Sequence, residues 1–110
     1  MNFVELEEYR THDGGAPFSD WLLQLRNVMG RVRIARRLTR LRAALLGDAK
    51  PVGGGVIELR EDFGPGYRIY CARHGATLIV LLAGGAKRTQ QKDIERAQIY
   101  WQDWKRRKAR

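Results

Sequence analysis

Hydrophobic positions change their spacing along the chain, and each spacing predicts a different element. Residues 3–9 form a short segment that contains β-branched and aromatic residues and ends before Asp13-Gly14-Gly15. This pattern predicts a strand. Pro17 suits the first turn of a helix, and the apolar residues around it recur at helical spacing at Phe18, Trp21, Leu22 and Leu25. Gly30 weakens the pattern, so we expect a break around residues 27–30 and a second helix after it.

The second helix is expected to run to about Leu46 and to stop at Gly47. Its core-facing residues are then Val32, Ile34, Ala35, Leu38, Leu41 and Leu45. Five arginines fall on the opposite side: Arg26, Arg33, Arg36, Arg37 and Arg40. No acidic residue lies between Trp21 and Gly47, so ion pairs within the helix cannot neutralise these arginines. We therefore expect RNA or an acidic protein against this face, with a merely solvated face as the alternative.

From Val56 onward the apolar residues alternate or run continuously, as in strands. Ile57 and Leu59 share one side of a strand at residues 56–60, and Ile69 and Cys71 share one side of a strand at 67–73. Residues 78–83 are apolar on both faces, which predicts a central, covered strand that Gly84-Gly85 ends. A last helix begins near Thr89 and carries the apolar stripe Ile94, Ala97, Trp101 and Trp104.

This order of elements predicts an α+β fold: a small twisted, mainly antiparallel sheet with an N-terminal helix pair and a C-terminal helix. The 110 residues suit one domain, and the basic tail at residues 105–110 is expected to fray. With 21 Lys and Arg against 12 Asp and Glu, the chain carries a formal charge of +9, which favours a polyanionic partner.

Features that the sequence lacks indicate where the protein is located and which cofactors it does not use. No apolar run approaches the roughly 20 residues of a membrane span, so we expect no membrane partner. The acidic start and the single Cys71 favour a cytoplasmic protein over a secreted one. His12 and His74 are far apart in sequence, and no carboxylate or cysteine cluster has ligand spacing, so we predict neither a metal nor another cofactor.

The hairpin around Gly64-Pro65-Gly66 is where chemistry is expected. That turn would place Arg60 and Arg68 opposite each other on the face shared by Glu58 and Tyr70, with Lys87 and Arg88 just beyond the next strand. Like charges opposed in a sheet are destabilising unless something anionic compensates them, and such cations suit a phosphodiester. The alternative is a set of surface ion pairs of Arg60 and Arg68 with Glu58, Glu61 and Asp62.

Five segments together resemble one known family. They are FSDWLLQL (18–25), PVGGGVIELR (51–60), FGPGYRIY (63–70), LLAGGAKRTQ (81–90) and DI (93–94). In this order they are similar to the phage-derived addiction-module killer proteins, the HigB-type toxins of the RelE/ParE superfamily. The resemblance implies a RelE-like fold, a toxin that cleaves mRNA at the translating ribosome, and a cognate HigA-like antitoxin with a helix-turn-helix domain.

The resemblance also assigns roles to residues. Arg68 matches the arginine that contacts the scissile phosphate, Lys87 or Arg88 matches the basic residue after the last strand, and Arg60 belongs to the ELR segment. The chain departs from RelE in having Glu58 where a basic residue is expected. We expect catalysis by Glu58, Arg60, Arg68 and Lys87, and nucleic-acid contacts from Tyr70, Arg88, Arg33, Arg36, Arg37 and Arg40.

The expected reaction is attack of a ribose 2′-OH on the adjacent phosphate, which leaves a 2′,3′-cyclic phosphate. Glu58 would accept the 2′-OH proton, the two strand arginines would hold the non-bridging oxygens, and Lys87 would stabilise the departing 5′-oxygen. Two alternatives stay open: a ParE-like topoisomerase (gyrase) inhibitor without RNase activity, and a non-enzymatic basic nucleic-acid-binding module. The arginine face of the second helix is also a candidate contact for an acidic antitoxin.

Overall fold

A five-stranded mixed sheet lies at the centre of the structure, a computed structural model that describes residues 3–109. The elements in chain order are β1 (Glu5–Glu8), α1 (Pro17–Gln24), α2 (Val28–Arg42), β2 (Ala49–Pro51), β3 (Val56–Glu61), β4 (Tyr67–His74), β5 (Leu78–Ala86), a 3₁₀ turn (Lys87–Thr89) and α3 (Gln90–Lys108). The strand order is β1-β5-β4-β3-β2, with β1 parallel to β5 and the other pairings antiparallel. The α+β class is therefore confirmed.

Helices cover both faces of this sheet. On one face Phe18 of α1 and Ile34 and Leu41 of α2 pack against Leu59 and Ile69. On the other face α3 buries the predicted stripe, and its members Ala97, Trp101 and Trp104 pack against the strands. Because β5 contributes buried residues to both clusters, the prediction of a central strand covered on both sides is confirmed.

The strand pattern was wrong in two places. Sequence reasoning missed β2, a three-residue strand that pairs with β3. It also ended β5 at Gly84-Gly85, whereas β5 continues to Ala86. A Cβ on Gly84 would lie 2.1 Å from the ring of Trp21, and one on Gly85 would lie 2.0 Å from the Asp93 carboxylate. These glycines therefore let α1 and α3 approach the sheet closely.

Helix α2 is shorter than predicted, and its buried face matches the prediction only in part: Ile34 and Leu41 are buried as predicted, and Leu38 packs against the core. It ends at Arg42 because the Ala44 N–H bonds to the Leu41 carbonyl and the Leu45 N–H to the Arg40 carbonyl, a Schellman motif. Ala44, at φ 62°, takes the left-handed position usually held by glycine. Three residues predicted for the core are exposed: Val32, Ala35 and Leu45. The buried stripe consists of Gly30, Ile34, Arg37 and Leu41.

Arg37 does not belong to the exposed arginine face on which the sequence pattern placed it. Its guanidinium donates to the carbonyl oxygens of Leu46 (2.9 Å), Asp48 (2.6 Å) and Arg60, and it pairs with Glu61 at 3.2 Å. These bonds join α2 to the segment before β2 and to β3. Arg37 is therefore a buried cross-link of the fold, and the expectation that it contacts nucleic acid is corrected.

The first four residues of the basic tail, 105–108, are helical and form the last turn of α3. Arg107 bonds to Asp103 at 2.5 Å and to the Arg10 carbonyl at 2.6 Å. Lys105 and Lys108 lie over the rings of Trp101 and Trp104. Residues 105–108 therefore belong to α3, the expected fraying stays a prediction, and Arg110 lies outside the described residues.

The buried position of Arg37 predicts an asymmetry between two neighbouring arginines of α2. Arg37→Met should lower the free energy of unfolding by about 3 kcal/mol, because it removes the guanidinium donor to the Leu46 and Arg60 carbonyls and one of the two donors to the Asp48 carbonyl and to Glu61. Arg36→Met removes the same charge from the exposed face and should change stability by less than about 0.5 kcal/mol. Urea unfolding of both variants measures the difference, and equal midpoints would contradict the buried cross-link.

Candidate nucleic-acid interface

The β3–β4 register brings two arginines face to face. Arg60 pairs with Arg68 and Glu58 pairs with Tyr70, as the turn around Gly64 predicted. Lys87 joins them from the end of β5, where its N–H donates to the Gly66 carbonyl at 2.8 Å. A Cβ on Gly66 would lie 3.3 Å from Lys87 Cβ and 3.5 Å from Arg68 Nη1. We call Arg60, Arg68 and Lys87 the sheet-end cation cluster.

Arg68 is the most enclosed member of the sheet-end cation cluster. Its side chain is 5% exposed, and Nη1 donates to the Tyr67 carbonyl at 3.0 Å and to Asp62 at 3.4 Å. Asp62 itself is 76% exposed, so water screens that ion pair. Arg68 Nε is buried and has no hydrogen-bond partner within residues 3–109. The guanidinium is therefore held in place with part of its hydrogen-bonding capacity unused.

Glu58 fixes the position of Arg60. The carboxylate is fully buried and accepts hydrogen bonds from Arg60 Nε (2.9 Å), Gln90 Nε2 (2.7 Å) and Tyr70 Oη (3.1 Å). Burial alone would raise the pKa of Glu58, but these three donors outweigh it and hold the pKa below its ordinary value. A general base must reach the proton that it abstracts and needs a pKa nearer neutrality, so a fully buried carboxylate with a lowered pKa does not fit the expected role of general base.

Tyr70 also differs from its expected role. Its side chain is fully buried, and its hydroxyl donates to Glu58. Burial, followed by the neighbouring Glu58 charge, raises the pKa of Tyr70 well above its usual range. The phenol is thus a neutral donor inside the fold, and the expectation that Tyr70 contacts nucleic acid is corrected.

The other predicted cations are exposed. Lys87 and Arg88 lie on the surface turn between β5 and α3. On α2, Arg33, Arg36 and Arg40 line a depression of about 100 Å³ together with Glu61 and the largely buried Arg37. Arg33 pairs with Glu61 at 3.4 Å and lies 4.4 Å from the centre of the Phe63 ring. We call Arg33, Arg36 and Arg40 the α2 arginine surface.

The surface ion pairs of the alternative interpretation are present, but they neutralise only part of the charge. Glu58 pairs with Arg60, Asp62 with Arg68, and Glu61 with Arg33 and Arg37. Across the part of the chain that the structure describes, Lys87, Arg88, Arg36 and Arg40 form no ion pair within 4.0 Å. Cations therefore remain available at the sheet end and on α2.

Sequence reasoning missed a cleft that opens beside the sheet-end cation cluster. It has a volume of about 760 Å³ and lies between α1, the end of β5 and the first half of α3. Its walls include Trp21, Tyr67, Arg88, Asp93 and Tyr100. The signal available in the sequence was Gly84-Gly85, which was interpreted as the end of a strand rather than as two points of close packing.

Among residues 3–109, no group of three or more His, Cys, Asp or Glu side chains is placed to hold a metal ion. No helix in that range is long and apolar enough to cross a bilayer.

Comparison with known proteins identifies a clear relative. No protein-family model matches the chain. A Haemophilus influenzae protein described as an "Uncharacterized protein" is 42% identical over 86 residues, which cover 78% of this chain and 87% of that protein. At this identity and coverage the two sequences share a common fold and ancestry. The chain therefore belongs to the same family as this Haemophilus influenzae protein.

Proposed function

We propose that the protein is a HigB-type toxin of the RelE/ParE superfamily, with a RelE-like fold and an N-terminal helix pair, that cleaves mRNA at the ribosome. The observation that carries the proposal is the sheet-end cation cluster: Arg60 and Arg68 lie in register on adjacent strands, and Lys87 Cβ and Arg68 Nη1 both lie within 3.5 Å of the position that a Cβ on Gly66 would take. Like charges in this arrangement favour an anionic ligand between them. The five sequence segments that resemble the killer proteins supply the same residues.

In this proposal the cleavage relies on charge stabilisation. When a ribose 2′-OH attacks the adjacent phosphate, the phosphorane transition state gains negative charge on its non-bridging oxygens. Arg60 and Arg68 donate to these oxygens, because guanidinium groups match the geometry of phosphate. The exposed ammonium of Lys87 stabilises the departing 5′-oxygen. The products are a 2′,3′-cyclic phosphate and, once the departing 5′-oxygen takes a proton from water, a free 5′-hydroxyl.

Glu58 acts as a positioning residue in this scheme. Its buried carboxylate holds Arg60 by Nε, so both terminal nitrogens of Arg60 stay free to face a phosphate. This is the reverse of the role that the sequence suggested, in which Glu58 took the proton itself. The proton of the 2′-OH then passes to solvent or to a ribosomal group, which fits an enzyme that works on translating ribosomes.

The α2 arginine surface is the proposed contact for the cognate helix-turn-helix antitoxin. Arg36 and Arg40 have no ion pair among the described residues, and α2 contains no acidic residue. An acidic segment of the antitoxin would neutralise this surface without filling the sheet-end cation cluster. Inhibition would then depend on covering the toxin rather than on blocking its phosphate site. The proposed location is the cytoplasm, where mRNA and ribosomes lie.

The mRNA-cleavage proposal is tested by mapping mRNA ends after incubation with translating ribosomes. Arg60→Ala and Lys87→Ala should each lower the cleavage rate by about 10²–10³-fold, because each removes a donor to the developing charge. Arg68→Ala should abolish cleavage. Arg68→Lys keeps the charge and most of the side-chain volume, so it serves as the control for loss of folding at this position. Arg73→Ala removes an exposed arginine at the far end of β4 and should leave cleavage unchanged.

Two outcomes would contradict the proposal. If wild type leaves the mRNA intact but blocks supercoiling by gyrase, the protein is a ParE-like inhibitor. If it binds RNA in a salt-dependent way and neither cleaves it nor affects supercoiling, it is a non-enzymatic binding module.

The positioning role of Glu58 predicts a small effect of Glu58→Gln. The amide oxygen can still accept from Arg60, and its NH₂ can donate to the Tyr70 hydroxyl and to a flipped Gln90 amide. Cleavage should fall by less than about tenfold, whereas loss of a general base costs about 10²–10⁴-fold. Glu58→Ala, which releases Arg60, should be much less active than Glu58→Gln. Equal, severe losses in both variants would restore Glu58 as the base.

The pH dependence gives an independent check on Glu58. Because its pKa is held below the ordinary value, the carboxylate stays ionised from pH 5 to 8, and the rate should show no acidic limb from this group there. Its contribution to stability is present above the pKa of the unfolded chain and is lost as the pH falls through the lower native pKa. Glu58→Gln should therefore flatten the loss of stability on acidification, which urea unfolding at pH 3 to 6 measures.

A further inference from the structure

The depression on α2 gathers positive charge that the fold neutralises only in part. It is lined by Arg33, Arg36, Arg37, Arg40 and Glu61. The four arginines follow one another at intervals of three or one residues, so each has a partner three or four positions away that it repels. Among the described residues that line the depression, Glu61 is the one carboxylate. An anion bound here would therefore relieve repulsion that the protein itself leaves in place.

Arg37 supplies a fixed charge at the wall of the depression. Its side chain is 6% exposed, and its guanidinium donates to the carbonyl oxygens of Leu46, Asp48 and Arg60 and to Glu61. These bonds use its donors, so Arg37 is not expected to bind a ligand directly. Its positive charge nevertheless stays at one place, because the fold holds the side chain there, and it attracts an anion electrostatically.

The donors for a ligand come from the other three arginines. Arg36 and Arg40 are exposed and form no ion pair among the described residues. Arg33 bonds to Glu61 through Nη1 at 3.4 Å, and its guanidinium lies 4.4 Å from the centre of the Phe63 ring. These two contacts restrict its position, while Nε and Nη2 have no partner in the part of the chain that the structure describes. Guanidinium groups match the geometry of phosphate oxygens.

The size of the depression fits one phosphate group. Its volume is about 100 Å³, whereas a water molecule in the liquid occupies roughly 30 Å³, so it holds about three waters. Sites for whole small molecules are larger, at roughly 300–1,000 Å³. A ligand would therefore place a phosphate in the depression and leave the rest of its structure in solvent.

The charge of the depression favours a terminal phosphate over an internal one. A phosphate monoester carries a charge of about −1.5 to −2 at pH 7, whereas a diester carries a single negative charge. In the same field a dianion gains about twice the Coulomb energy of a monoanion. With four guanidinium groups against one carboxylate in the lining, the doubly charged group is the better match.

We propose that the α2 depression binds the terminal phosphate of a small phosphorylated compound. Arg33, Arg36 and Arg40 donate to its oxygens, and Arg37 adds a fixed positive charge. The site uses none of the residues of the sheet-end cation cluster, so it does not depend on the proposed mRNA cleavage. Because the α2 arginine surface is also the proposed antitoxin contact, a phosphate bound here would compete with an acidic antitoxin segment.

The ligand class is tested with two probes that differ in one methyl group. Isothermal titration calorimetry at pH 7.5 and constant ionic strength gives the affinities of the wild-type protein for methyl phosphate and for dimethyl phosphate. Methyl phosphate, the monoester, should bind about fivefold more tightly or better, because it carries the larger charge. Constant ionic strength keeps the screening of these exposed arginines the same for both probes.

The site itself is tested with matched arginine variants of one helix. Arg36→Met and Arg40→Met should each weaken the binding of methyl phosphate by about tenfold, because each removes a charged donor. Arg31→Met is the control: Arg31 is exposed on α2 but does not line the depression. This variant loses the same charge and should change the affinity by less than about twofold.

Glu61→Gln gives a change in the opposite direction. Removing the carboxylate from the lining should tighten the binding of methyl phosphate by about fivefold, because the repulsion between Glu61 and the anion is lost. The amide oxygen can still accept from Arg33 or Arg37, and thermal unfolding checks that the variant folds. If it does not fold, the Arg36 and Arg40 variants decide the question.

Three results would overturn the proposal. The first is the absence of methyl phosphate binding. The second is an equal loss of affinity in Arg31→Met and Arg36→Met, which would indicate general attraction to a basic helix. The third is equally tight binding of dimethyl phosphate, which would assign the depression to internal phosphodiesters such as those of an RNA backbone. None of these results would contradict the proposed mRNA cleavage, which depends on other residues.

Discussion

The buried carboxylate of Glu58 ties together the three elements on which the site depends. Its donors come from β3 (Arg60), β4 (Tyr70) and the first turn of α3 (Gln90). Burying a charged carboxylate is energetically costly unless hydrogen-bond donors compensate it. The Glu58 charge therefore also fixes the positions of its three donors. The hydrogen bonds of Glu58 fix the start of α3 against the sheet and orient the Arg60 side chain. The geometry of the sheet-end cation cluster therefore depends on a residue of the buried core.

The sequence predicted the parts of this arrangement that follow from local rules. A short turn at residues 64–66 sets the register of a hairpin, and period-two alternation sets the faces, so the opposition of Arg60 and Arg68 could be deduced before any coordinates. The burial of Arg37, in contrast, could not be deduced from the sequence pattern. A helical wheel counts every arginine as polar, whereas this one is needed by the carbonyls of Leu46 and Asp48, whose orientation depends on how α2 ends.

The glycine positions also show where local sequence rules fail to predict the structure. At Ala44 the chain adopts the left-handed conformation without a glycine, so the end of α2 was placed too late at Gly47. At Gly84 and Gly85 two glycines lie inside a strand, where the absence of a side chain matters more than conformational freedom. The cleft that they shape joins residues from α1, β5 and α3, which are distant in sequence. Only tertiary structure brings them together, and no local pattern predicts them.

The excess positive charge of the chain divides into two classes with different physical roles. Arg37 and Arg107 bond to backbone carbonyls and to buried or half-buried carboxylates, so their charge is used within the fold. Arg36, Arg40, Lys87 and Arg88 are exposed and form no ion pair among the described residues, and they oppose folding slightly by mutual repulsion. Arg60 and Arg68 lie between these classes, because the protein positions them through Glu58, Tyr67 and Asp62 while leaving donors unused. A cation that is rigidly held yet incompletely neutralised is what stabilises charge that develops only in a transition state, since no reorganisation is needed when the charge appears.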